Sequence, residues 1–155
     1  MREDFGAVLA REMRRDRRIW ALAADTGFYA SKVISGEFGD RFLNMGIAEQ
    51  NAIGVAAGLA LAGDYPVVYG FGTFLLRRGY EVLRLQFGEG RLPGLIVGFG
   101  RGKRYDFLGP CHIPDDAKAL ARMARLAYVS PPQGQLAKYL PRVIRSRKPV
   151  FMEID

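Results

Sequence analysis

The segment FLNMGIAEQNAIGVAAGLALAGDYPVVYGFGTFLLRRGYEVLRLQ, residues 42–86, decides how the rest of the chain is read. It opens with a short apolar run, FLNMG (42–46), followed by an Ala- and Gly-rich helical stretch at 48–62. PVVYGF (66–71) then reads as a buried strand, and a second helical stretch covers 73–87. An ionisable acid, Glu49, stands at the head of the first helix, where the sequence is otherwise apolar. Taken alone, an acid there has a plain structural reading, as a first-turn carboxylate facing the helix dipole, worth under about 1 kcal/mol.

Outward from this segment the same alternation continues. Residues 4–15 form an amphipathic helix and IWALAAD (19–25) a strand, followed by a polar loop up to the strand at 42. On the other side come the strand LPGLIVGF (92–99), the loop 100–113 and a helix at 115–125. The strand AYVS (127–130), a helix at 132–146 and the strand PVFMEI (149–154) complete the chain. Apolar strands separated by helices predict a three-layer α/β/α fold with a mainly parallel sheet of about six strands. Ligands of such sheets bind beyond the carboxyl ends of the strands.

The whole chain, residues 1–155, reads as one domain, with 49% hydrophobic and 25% charged residues. The only cysteine, Cys111, excludes an internal disulfide, and no apolar run reaches spanning length. A soluble cytoplasmic protein without a membrane is the expectation. The net charge is +7, with arginine far outnumbering lysine. The basic residues are scattered and carry no aromatic interleaving, which argues against a nucleic-acid partner. GFGTFL (70–75) lacks the third glycine of a dinucleotide fingerprint. GFGRGKR (98–104) lacks the first glycine and the closing Ser or Thr of a phosphate loop, so both read as strand-to-helix turns. The single histidine and the absence of HExxH or DxD spacing argue against a metal site made by this chain.

The combination of strand, GIAEQ, small-residue helix, PVVY and TFL…Y resembles the pyrimidine-binding domain of transketolases and 1-deoxyxylulose-5-phosphate synthases. The resemblance is strongest over 40–85 and extends loosely across the chain. It implies thiamine diphosphate as cofactor and gives Glu49 a partner: in that family the matching glutamate hydrogen-bonds N1′ of the aminopyrimidine and so promotes loss of the thiazolium C2 proton. Phe74 resembles the aromatic that stacks on the pyrimidine, and Tyr80 and Phe71 are further candidates for the same wall. Asp25 matches an acid at the end of the first strand, near the cofactor and the dimer contact. GPCH (109–112) is similar to a GPTH segment whose histidine faces the substrate, which makes His112 the substrate-side candidate. The structural alternatives are core packing for Tyr80, a cap for Asp25 and an exposed loop histidine for His112.

The departures are equally informative. Leu108 stands where transketolases carry a sugar-contacting acid, with Asp106 displaced by two; VGFG replaces the THD segment, and an SRQ-like phosphate segment is missing. Arg101, Lys103 and Arg104 are the candidates for an alternative contact to a small anionic substrate. No GDG…N motif occurs, so the resemblance implies a separate diphosphate-binding subunit that carries it and holds Mg²⁺, in a heterotetramer. The expected chain is a stand-alone subunit of a split enzyme that transfers a two-carbon ketol or acyl unit. The alternatives are a 2-oxoacid decarboxylase or synthase subunit, and a non-catalytic regulatory subunit that kept the fold.

Overall fold

The computed structural model describes residues 2–26, 28–102, 105–113 and 116–155, with side chains from Phe5 onward. The elements are α1 (Arg2–Arg15), β1 (Ile19–Ala23), α2 (Phe28–Glu37), β2 (Phe42–Asn44), α3 (Glu49–Leu61), β3 (Tyr65–Phe71) and α4 (Gly72–Arg78). They continue with α5 (Tyr80–Val82), which runs on into a π-helical segment, Leu83–Glu89, then β4 (Gly94–Phe99) and α6 (Ala117–Met123). β5 (Ala127–Val129), α7 (Leu136–Ser146) and β6 (Pro149–Ile154) follow.

All five strand pairings are parallel, in the order β2-β1-β3-β4-β6-β5. Side chains alternate along each strand, as the period of two requires. Ile19, Ala21 and Ala23 of β1, with Val67 and Tyr69 of β3, face α1, α2 and α7. Leu22, Val68, Ile96 and Phe151 face α3, α4 and α6. Connections that step one way along the sheet use one helix layer and those that step back use the other. A uniform right-handed crossover enforces this.

Two expectations are corrected. The polar loop expected after the first strand contains α2 and a 3₁₀ turn, Gly39–Arg41. It escapes a pattern search because α2 buries only Ala30 and Ile34, while Phe28, Tyr29 and Val33 stay exposed. The single helix expected at 73–87 is interrupted at Gly79, where a Cβ would come within 2.1 Å of Ile53 Cδ1. Glycine, a weak helix former, stands where the run divides into α4, α5 and the π-helical segment, and its bare Cα lets α3 pack closely there.

Glycine also lets α4 meet the sheet directly. A Cβ on Gly98 would fall 2.7 Å from the Gly72 Cα and 2.6 Å from the Phe151 ring. The first turn of α4 therefore rests on β4 with no side chain between them. Among the described residues, no helix is long and apolar enough to cross a membrane.

Candidate active site at the carboxyl edge of the sheet

The turn from β2 to α3 presents Glu49. The Asn44 side-chain oxygen accepts the Gly46 N–H at 3.1 Å, and Gly46 takes φ +69°, a conformation that costs glycine little. Ala48 caps α3 without a side-chain bond, and Glu49 is the first helical residue, only 3% exposed. An acid this buried needs a partner. Arg78, at the end of α4, supplies one: its Nη1 donates to Glu49 Oε2 at 2.8 Å. Among the described residues Glu49 Oε1 has no hydrogen-bond partner. A cleft of about 420 Å³, lined by Ile47, Ala48, Glu49, Gln50, Asn51 and Arg78, opens beside it.

The same arginine reaches an aromatic wall, for its guanidinium carbon lies 4.3 Å from the Phe74 ring centre. Phe74 packs edge-on against Phe71 at 5.8 Å and against His112 at 4.9 Å. Phe71 also meets His112 at 5.4 Å and Tyr105 at 5.1 Å. Half-buried His112 ends a 3₁₀ turn, and its Nδ1 lies 3.3 Å from Cys111 Sγ. Residues from β3, α4 and the loop after β4 thus converge, and Arg78 ties them to the head of α3.

The structure therefore brings together Glu49, Phe71, Phe74 and His112 of the residues singled out from sequence. Two members were missed. Arg78 lies one helical turn beyond Phe74, and that i, i+4 spacing was the available signal. Tyr105 carried no motif. Tyr80 lies apart from the wall: it packs against the core beneath α3 and α4, and no ring contact to it occurs among the described residues. Asp25 is exposed just past β1, with φ +45°.

Arg101 is engaged within the protein. Its Nε and Nη2 donate to the two Asp155 carboxylate oxygens at 2.9 and 3.2 Å, and Nη1 donates to Ser130 Oγ at 2.7 Å. Lys103 and Arg104 lie outside the described residues. Close by, Glu153 is buried and accepts a hydrogen bond from Tyr128. Burial pushes the Glu153 carboxyl above its usual range, and burial followed by this carboxylate pushes the Tyr128 phenol up to about 12. No group of three His, Cys, Asp or Glu side chains that could hold a metal ion occurs among the described residues.

An all-parallel α/β/α sheet that gathers a buried acid and an aromatic wall at its carboxyl edge defines the class of doubly wound domains whose ligands bind at that edge. The chain belongs to the transketolase pyrimidine-binding family: the model described as "Transketolase, pyrimidine binding domain" matches residues 1–154. It is 29% identical over 157 residues to a 6-deoxy-6-sulfo-D-fructose transketolase subunit of Clostridium sp. (strain MSTE9), covering 99% of this chain and 49% of that protein. It is 43% identical over 82 residues to the 1-deoxy-D-xylulose-5-phosphate synthase of Treponema pallidum (strain Nichols), covering 52% of this chain and 13% of that one. A solved "Split gene transketolase, inactive beta4 tetramer" superposes with a TM-score of 0.84 at 27% identity, over 98% of this chain and 50% of that one. The chain thus spans at most half the length of these relatives.

Proposed function

We propose that this chain is the pyrimidine-binding half of a split, thiamine diphosphate-dependent enzyme of transketolase type, which moves a two-carbon unit to or from a small anionic substrate. The observation that carries the reading is Glu49, a carboxylate 3% exposed at the head of α3, one of whose oxygens has no partner among the described residues. That donor set fits an aminopyrimidine, which needs a carboxyl group to share a proton with its ring nitrogen and an apolar surface for its face. Bound there, thiamine diphosphate supplies the carbon nucleophile of the reaction.

Their placement supports the following roles for this chain's residues. Glu49 holds N1′ of the pyrimidine and exchanges a proton with it, in a setting where little water competes. Phe74, backed by Phe71, offers an aromatic face and keeps solvent from the ring. His112 has Nδ1 turned to Cys111, which leaves Nε2 for a substrate oxygen. Asp25, exposed at the end of β1, suits a contact with a neighbouring subunit. The Mg²⁺ and the diphosphate fall to a partner subunit carrying GDG…N, in a hetero-oligomer; the words "subunit" and "split gene" attached to two of the relatives support this division.

The test is Glu49→Gln in the reconstituted complex, with C2-hydrogen/deuterium exchange of the cofactor followed by NMR. Glutamine keeps the shape and a hydrogen bond but cannot exchange the proton. Exchange should slow by about 10²–10⁴-fold, the usual loss for a positioned proton-transfer group. Equal rates in the two proteins would return Glu49 to a helix-start acid.

A further inference from the structure

The edge of the sheet opposite Glu49 carries a second concentration of chemistry. Because the sheet runs β4-β6-β5, the turns entering these three strands lie side by side. Each holds an arginine with a left-handed backbone: Arg91 at φ +54°, Arg125 at +59° and Arg147 at +52°. A residue with a Cβ pays roughly 1–2 kcal/mol in that conformation, and glycine or asparagine is the ordinary occupant. Together with Lys148, these arginines line a cavity of about 510 Å³, completed by Gly88, Glu89, Ala127 and Pro149.

The charges in this cavity do not cancel. Among the described residues Glu89 is its only acid, and it is shared by Arg84 at 2.8 Å and Arg125 at 2.6 Å. Arg147 reaches out of the cavity to Asp16 and lies over the Tyr65 ring. The side chains of Arg91 and Lys148 make no ion pair or hydrogen bond among the described residues. Favourable interaction with helix C-termini explains basic residues after α6 and α7, at about 0.3–1 kcal/mol each. The same dipole term reaches Lys148, just past α7, and Arg91, just past the π-helical segment, but a dipole supplies no counter-ion, and these two cations face one concavity without a carboxylate partner among the described residues.

We propose that this cavity binds a phosphate-bearing small molecule, of the size of a pyrophosphate or nucleoside diphosphate moiety. Guanidinium forks match phosphoryl oxygens in pairs, and lysine adds a point charge. The volume falls within the range of about 300–1,000 Å³ typical of small-molecule sites. Strand β3, with seven residues, separates the two edges by roughly 20 Å at about 3.3 Å per residue. The occupant is therefore a second ligand, independent of the proposed cofactor.

The experiment is calorimetric titration of the chain with inorganic pyrophosphate, ADP and, at matched ionic strength, sodium chloride. Pyrophosphate and ADP should bind with micromolar dissociation constants. The double variant Arg91→Gln/Lys148→Gln, both at exposed positions, should weaken them at least tenfold, whereas Lys118→Gln/Lys138→Gln, away from the cavity, should not. Pyrophosphate binding as tight as ADP, lost in the double variant, places the recognition in the phosphates and supports the site; ADP binding without pyrophosphate binding would place it in the nucleoside and overturn the role of the cations. No heat beyond that of chloride, or equal affinity in the wild type and the Arg91/Lys148 variant, overturns the proposal.

Discussion

Removing the Arg78 side chain tests whether the carboxylate at the head of α3 and the aromatic wall act as one unit. Arg78→Met deletes the 2.8 Å bond to Glu49 Oε2 and the guanidinium over the Phe74 ring. It keeps the aliphatic stem. A hydrogen bond to a charged group contributes about 1.5–3 kcal/mol. The Glu49 side chain is 4% exposed but that of Arg78 is 50% exposed, so solvent screening brings the bond to the lower half of that range. The cation–π contact adds about 0.5–1 kcal/mol at such a site. Arg78→Met should therefore destabilise the chain by about 2 kcal/mol, or roughly 4–8 °C for a domain of this size. Urea unfolding of the wild type, Arg78→Met, Glu49→Gln and the double variant closes a thermodynamic cycle. The expected coupling is about 1–2 kcal/mol, well above the roughly 0.3–0.5 kcal/mol scatter of independent sites. Additive effects would show that the pair holds nothing together in solution, and that the carboxylate and the wall are separate features.

Two more outcomes are expected. The Arg18 side chain is the largest cause holding the Asp16 carboxyl down at about 2, helped by the Arg18 backbone N–H and by Arg147. A depressed folded-state value gives stabilisation that is complete above the unfolded-state value near 4 and fades as pH falls toward 2. The stability gap between wild type and Asp16→Asn, measured by urea unfolding, should therefore narrow across that window; a constant gap would sink the idea. At Gly88, a Cβ would fall 2.0 Å from the Ala124 backbone oxygen. Gly88→Ala must force the π-helical segment away from the end of α6, costing about 1–3 kcal/mol in thermal unfolding. An unchanged midpoint would contradict the contact.

The layers and strand number were legible because each strand carries a run of apolar residues long enough to stand out from its neighbours. PVVYGF and LPGLIVGF are buried on both faces, and that shows directly in composition. Helix α2 was not legible, since FYASKVISGE turns three of its large apolar residues outward and leaves no stripe to detect. The break at Gly79 was hidden for another reason: the close neighbour that needs a glycine there, Ile53, lies on a different helix. Site residues divide the same way. Glu49, Phe74 and His112 could be named because they sit in short local patterns. The Arg78–Glu49 and Arg101–Asp155 pairings arise from contacts across 29 and 54 positions of chain, which no local pattern encodes; only the spacing of Arg78 from Phe74 was visible.

The contact between Gly72 and Gly98 bears on how the protein tolerates change. Most helices sit on a sheet through interlocking side chains, so a substitution in the core tilts them by a fraction of an ångström. Here the first turn of α4 touches β4 backbone to backbone, with the Phe151 ring alongside. The height of the first turn of α4 over the sheet is thus set by main-chain thickness at this point. That contact insulates the near end of the helix, two residues from Phe74, from small shifts elsewhere in the core, while Leu75 and Leu76 seat the rest of it through their side chains. The cost of that insulation is brittleness at one point: a single methyl group at Gly98 would lift the helix and carry Phe74, Arg78 and the grip on Glu49 with it.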